Sequence, residues 1–264
     1  MRRVWLVLLV SAITLASARA DATVVRRLDV AVRGKTLTLT VYRAAAQPRG
    51  TVLMGSGDVG WVGLGVSMAE FLADQGYTVA GINVRQYLSV FTAGKSHLTE
   101  TDVPADYQTI ADRLKTEGLL AEPVIVSGVS EGAALAVLAA SSPANHAWIH
   151  GVITMGLPAI AELAWKWTDF TAWITKSDAR EPSFAAERHI AEVSPLPLVM
   201  IQSTKDEYVT EADYRRLEAT AKEPKKLVLI AAANHRFTDK RPELQREYLA
   251  GIDWVRSRLR PSSP

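Results

Sequence analysis

Residues 124–140 read VIVSGVSEGAALAVLAA, and few folds accommodate them. A short β-branched run ends at Gly128-Val129-Ser130-Glu131-Gly132, and an alanine-rich helical pattern begins at once. The chain must pass from strand to helix within one turn, too tight for side chains where the two glycines stand. A strand that feeds directly into a helix is the building unit of a parallel sheet, whose neighbouring strands need crossover connections. The chain repeats that unit. Strands are predicted at Thr51–Met54, Tyr77–Asn83, Val124–Ser127, Trp148–Met155, Leu196–Gln202 and Lys226–Ala231. Helices are predicted at Ser67–Gln75, Ala105–Glu117, Glu131–Ala140, Glu211–Lys222 and Pro242–Arg260, the last with Leu244, Tyr248, Ile252, Val255 and Leu259 on one face.

Leu28 to Val41 reads as a hairpin that turns at Arg33-Gly34-Lys35. The expected fold class is therefore α/β: a mostly parallel sheet with an antiparallel N-terminal hairpin and helices on both faces. Residues 157–194, with Trp165, Trp167, Phe170 and Trp173, interrupt the alternation and are read as a helical insertion that could act as a lid.

The N-terminus has a different character. Arg2 and Arg3 precede an apolar run from Val4 to Ala16, and Ala18-Arg19-Ala20 fits the small-x-small cleavage pattern. This predicts an export signal over residues 1–20, cleaved after Ala20, and a domain over 21–264. Without Arg2, Arg3 and Arg19 the 30 basic residues become 27, against 28 acidic, for a net charge of −1. Such a balance gives no reason to expect a nucleic-acid partner. After removal of the signal no apolar stretch is long enough to span a bilayer. Cysteine is absent, so an exported chain of this kind must be held by its core and not by disulfides. The oligomeric state is left open by the sequence.

Ser130 stands exposed at the turn, at the N-terminus of a helix. A serine hydroxyl becomes a useful nucleophile only when a base takes its proton. In a fold of this type the acid should follow a later strand and the histidine should follow the last one. The strand LPLVMIQS leads to Asp206-Glu207, and KKLVLIAAA leads to Asn234-His235. Ser130, Asp206 and His235 are thus the candidate catalytic residues, with Glu207 the competing acid.

The stretch TVLMGSGDVGW, Thr51 to Trp61, also satisfies G-x-G-x-x-G. A dinucleotide site would want an acid at the end of the next strand, and that strand ends Asn83-Val84-Arg85. The turn is read instead as an oxyanion hole. One backbone N–H comes from Asp58, or alternatively Gly57, and the other from Glu131. No cofactor is expected, and no histidine cluster suggests a metal.

At these residues the chain resembles the α/β-hydrolase superfamily, dienelactone-hydrolase-like members included. Ser56-Gly57-Asp58-Val59-Gly60-Trp61, Arg85-Gln86-Tyr87 and the export signal resemble, more narrowly, the VirJ/AcvB virulence-protein family. Val59, Val129 and Glu131 stand where that family has glycine and aromatic residues. The resemblance implies a periplasmic hydrolase acting on an aminoacylated phospholipid, with links to secretion. It adds Trp61, Arg85 and Tyr87 to Asp58 and Glu131 as expected substrate contacts. The reading is a periplasmic serine hydrolase of a carboxylic ester, which the resemblance implies is lipid-linked; its rival is an exported interaction protein built on a hydrolase fold.

Overall fold

The computed structural model describes residues 24–43, 47–165 and 182–259. The export segment, and Trp167, Phe170 and Trp173 of the expected insertion, lie outside them. The chain enters through β1 (Val24–Val32) and β2 (Lys35–Arg43), paired antiparallel from Val24↔Arg43 to Val32↔Lys35. Both turn residues adopt positive φ, Arg33 at 45° and Gly34 at 74°, the turn geometry whose twist matches that of the flanking strands. The strained Arg33 is held by its side chain. Its guanidinium donates to both carboxylate oxygens of the buried Asp106 at 2.8 Å and lies 3.9 Å above the Phe91 ring.

Next come β3 (Thr51–Gly55), α1 (Leu64–Asp74), β4 (Thr78–Ile82), α2 (Val84–Phe91), α3 (Asp102–Thr116), β5 (Val124–Val129), α4 (Glu131–Ala140) and β6 (Gly151–Met155). After β6, β7 (Ile160–Glu162) pairs antiparallel with β8 (Ser183–Ala185) as a separate ribbon, followed by α5 (Glu187–Ile190). The remainder is β9 (Leu198–Ser203), α6 (Glu211–Thr220), β10 (Lys225–Ile230) and α7 (Arg241–Arg258). The main sheet runs β1-β2-β4-β3-β5-β6-β9-β10. Only β1-β2 and β2-β4 are antiparallel; the other pairs are parallel. This is the expected fold class.

Side chains of the central strands alternate between two cores, as a pleat requires. Leu53, Val126, Val152 and Met200 join the cluster that includes α2, α3 and α4. Val52, Ile125, Ile153 and Val199 join the cluster under α1 and α7. Strands β3, β4, β5, β6 and β9 are buried throughout, which is why they read as unbroken apolar runs. Helix α7 is tied beneath the elbow, because the Tyr248 hydroxyl donates to Ser127 Oγ at 2.7 Å and Ser127 Oγ donates to the Ile153 carbonyl.

One expectation needs correction, and one element was not foreseen. The described flanks of residues 157–194 form a two-stranded ribbon and a short helix, so the segment is not simply helical. Ala161 and Phe184 are buried in this ribbon, and their cross-strand pairing replaces the helical pattern. The Arg85-Gln86-Tyr87 stretch, to which no element was assigned from the sequence, belongs to helix α2, whose Asn83 cap accepts from the Gln86 N–H. Among the described residues, no helix is long and apolar enough to cross a membrane.

Candidate active site

The serine turn is built by exclusion. Ser130 takes φ 52° and ψ −120° between β5 and α4, a conformation costly for any residue with a side chain. A Cβ on Gly128 would lie 2.1 Å from the Gly132 carbonyl carbon, and one on Gly132 would lie 2.4 Å from the Ser56 carbonyl oxygen. Both positions are therefore confined to glycine by helix α4 crossing close over β3 and β5. Two backbone bonds fix the turn: the Ser130 N–H to the Met155 carbonyl at 3.0 Å, and the Gly132 N–H to the Ser56 carbonyl at 3.1 Å.

Asp206 and His235 lie beyond the ends of β9 and β10, whose register brings Ser203 opposite Ile230. His235 Nδ1 and Asp206 Oδ2 are 2.6 Å apart, with 7% and 0% of the two side chains exposed. The second oxygen, Oδ1, accepts from the N–H groups of Tyr208 and Val209 at 2.9 Å each. Burial would raise the Asp206 carboxyl, but the hydrogen bond and charge of His235, with those N–H groups, hold it below its ordinary value. An ionised acid on Nδ1 fixes the tautomer that leaves Nε2 free to accept a proton.

Several contacts around the histidine gave no sign in the sequence. Glu207 does not compete for the ring; its Oε2 accepts the His235 backbone N–H at 2.8 Å. The Tyr208 ring meets the imidazole edge to face at 5.3 Å. Gln202 Nε2 donates to Asp206 Oδ2 at 2.7 Å. Gly156, at φ 62°, lies so close that a Cβ there would fall 2.5 Å from His235 Cε1. The positions of Glu207 and Tyr208 beside Asp206 were legible, but nothing in a one-dimensional pattern says that three consecutive residues hold one histidine.

The loop after β3 faces the serine. A Cβ on Gly57 would sit 3.7 Å from Ser130 Cβ, while Asp58 is exposed. Ser56 anchors this loop, because its Oγ accepts the Val84 N–H and its carbonyl accepts the Gly132 N–H. Gly57, Asp58 and Glu131 are thereby gathered around Ser130. Glu131 Oε2 is buried with no hydrogen-bond partner, although the residue as a whole keeps partial exposure. Burial first, then the Asp58 carboxylate, push the Glu131 carboxyl above its ordinary value. Its own N–H, the Ser130 hydroxyl and His235 oppose them.

The other expected contacts divide. Trp61 and Arg85 line an open cleft of about 430 Å³ with Val59, Val62, Gln86 and Trp165, and the Arg85 guanidinium lies 4.3 Å from the Trp165 ring centroid. Trp61 is also structural, since its indole N–H donates to the Tyr42 hydroxyl and its ring covers Gly81. Tyr87 is corrected: it is 1% exposed and its hydroxyl donates to Asp106 at 2.7 Å, so it meets no substrate. A second cleft, of about 440 Å³, lies beyond Tyr208 and is bordered by Pro158, Ile160, Glu187 and Arg216. The first cleft borders the loop after β3, and the second borders the loop after β9. Among the described residues, no group of three or more histidine and acidic side chains is placed to hold a metal.

With this geometry in hand, comparison with known proteins is informative. The uncharacterized protein YfhR of Escherichia coli strain K12 is 34% identical over 85 residues, 31% of this chain. Those residues span only 29% of that protein's length. The dienelactone hydrolase of Anabaena variabilis matches in structure with a TM-score of 0.63 and 18% identity, covering 90% of this chain and 99% of that one. The esterase domain of a Rhodothermus marinus protein matches with a TM-score of 0.59 and 16% identity, over 89% and 98%. At such identities the likeness establishes the fold, and an α/β-hydrolase fold hosts many chemistries. The profile of the family described as bacterial virulence protein (VirJ) matches residues 50–252. The chain belongs to the VirJ bacterial virulence protein family and has the α/β-hydrolase fold.

Proposed function

We propose that the protein is a serine hydrolase that cleaves a carboxylic ester through Ser130, His235 and Asp206. The observation that carries this reading is the buried Asp206–His235 pair, 2.6 Å apart, beside a serine held at φ 52°. Ser130 Oγ attacks the ester carbonyl carbon and its proton passes to His235 Nε2. Asp206 holds the Nδ1 proton and stabilises the imidazolium. The tetrahedral oxyanion lies between the Glu131 N–H and an N–H of Gly57 or Asp58. The alkoxide leaves with the proton from His235. Water, deprotonated by the same imidazole, then hydrolyses the acyl-enzyme.

The substrate in this reading is an aminoacyl ester of a phospholipid, met in the periplasm after export. Membership of the VirJ family supports it. So do two carboxylates, Asp58 and Glu131, that act on each other near the serine, where an ammonium group would be stabilised. Apolar surface on Val59 and Val62, 50% and 56% exposed, gives the adjoining cleft walls suited to an acyl chain.

A fluorophosphonate probe tests the reading. Wild type should be labelled at Ser130, and Ser130→Ala should lose both labelling and ester hydrolysis while keeping its circular-dichroism spectrum and Tm. Absence of labelling in folded wild-type protein would leave the exported interaction protein as the better description.

A further inference from the structure

Every proton transfer in the proposed reaction passes through His235, so the surroundings of its ring bear on where the substrate lies. Asp206 occupies Nδ1, and Gly156 closes the Cε1 flank, where a Cβ would fall 2.5 Å from the ring. Nε2 is buried without a hydrogen-bond partner. Tyr208 packs edge to face on the imidazole at 5.3 Å, and its backbone N–H is tied to Asp206 Oδ1 at 2.9 Å. Tyr208 nevertheless stays 53% exposed and borders the cleft of about 440 Å³. Ile160, 65% exposed, borders the same cleft with Pro158 and Ala185. Two large apolar side chains left exposed on one concave surface are the lining that a ligand's carbon chain needs. The guanidinium of the cleft is already shared, since Arg216 donates to Glu187 at 3.0 Å and to Asp213 at 2.7 Å.

We propose that this cleft receives the leaving alcohol of the ester, and that Tyr208 and Ile160 select an alcohol whose carbons beside the ester are uncharged and apolar. The proposal rests on the serine-hydrolase reading and adds to it the placement of the two halves of the substrate. The reaction supplies the reason. In acylation the bond from Ser130 Oγ to the carbonyl carbon forms and the bond from that carbon to the alcohol oxygen breaks. His235 gives its Nε2 proton to the departing oxygen. That oxygen must therefore come within hydrogen-bond reach of Nε2, on the imidazole that Tyr208 flanks. The carbonyl oxygen goes elsewhere, to the N–H groups of Glu131 and of the loop after β3. The cleft of Val59 and Val62, which borders that loop, is left for the acyl half. An anion beside Tyr208 would meet two carboxylates and one guanidinium, more negative charge than positive. In the phospholipid reading, the uncharged carbons next to the ester oxygen fill this cleft.

The experiment compares kcat/KM for methyl butyrate and hexyl butyrate, which share an acyl group and differ only in the alcohol. It is run on wild type, Ile160→Ser, Tyr208→Ala and Tyr208→Phe. Wild type should prefer the hexyl ester by about tenfold, as burial of several CH₂ groups of the alcohol predicts. Ile160→Ser and Tyr208→Ala should each cut that preference to about threefold or less. Tyr208→Phe keeps the ring and should keep the preference. An effect passed only through the His235 ring would instead slow both esters by one factor and leave their ratio untouched. The acyl side is followed with methyl octanoate against methyl butyrate, whose ratio should not respond to Ile160→Ser or Tyr208→Ala. The proposal is overturned if wild type shows no preference between the alcohols, or if both variants retain it. It is also overturned if the variants lose selectivity for the acyl chain in place of the alcohol; in each case hydrolysis by Ser130 still stands. Folded wild type that cleaves none of these esters and takes no fluorophosphonate at Ser130 overturns the hydrolase reading and this assignment with it.

Discussion

Asp206, Glu207 and Tyr208 are consecutive, yet each holds a different part of His235: ring nitrogen, backbone N–H and ring edge. The division follows from the tight turn after β9, which points neighbouring side chains in different directions. It also separates their expected effects. Asp206→Asn keeps the shape but presents an amide to Nδ1, so kcat should fall about 10³–10⁴-fold if the serine-protease template transfers. Glu207→Gln keeps an acceptor for the His235 N–H and should cost less than about tenfold in kcat. Parallel measurement of kcat and KM on one ester checks both. A larger loss from Glu207→Gln than from Asp206→Asn would reverse the roles assigned to the two acids.

At the scale of elements, the site is the set of turns at the carboxyl ends of β3, β5, β6, β9 and β10. Each turn is shaped by what it must avoid. The β5 turn avoids Cβ atoms because α4 crosses there, and the β6 turn avoids one because the imidazole packs on Gly156. Gly156→Ala would both strain a backbone at φ 62° and push the ring away from its place. Displacement of a catalytic group by about 1 Å can cost about 10²-fold. A kcat loss of that order is expected for Gly156→Ala, with KM little changed and the fold retained by circular dichroism. A variant with wild-type kcat would show that the ring tolerates the methyl group and that Gly156 serves only the turn.

The whole molecule brings Asp58 and Glu131 together through the adjacency of β3 and β5 in the sheet, although the two residues are far apart in the chain. In the proposed function, this pairing of two loops is where the substrate would be read. If the carboxylates meet a substrate ammonium, an aminoacyl ester should exceed a neutral ester of equal size in kcat/KM by about tenfold, or about 1.4 kcal/mol. Asp58→Asn and Glu131→Gln should each shrink that ratio. Equal kcat/KM values for the two esters, unmoved by either substitution, would mark a general carboxylesterase.

The amino-acid sequence by itself determined the main sheet and named Ser130, Asp206 and His235 as candidate positions. Buried parallel strands must be apolar throughout, and a turn as tight as that at Ser130 admits only glycine at its flanks. These are local constraints, so local residues record them. The same reasoning placed Asp206 and His235 after β9 and β10, where the structure finds them paired. It named Asp206 with Glu207 as the competing acid, because what separates the two is direction within a turn. It set Tyr87 at the substrate, whereas helix α2 turns that side chain inward to Asp106 and the strained hairpin residue Arg33. It also gave no hint that Gly156 supports the imidazole or that a Glu131 carboxylate oxygen is buried without a partner. Those facts belong to tertiary structure, since each arises where segments distant in the chain come within a few ångströms and compete for the same space or the same proton.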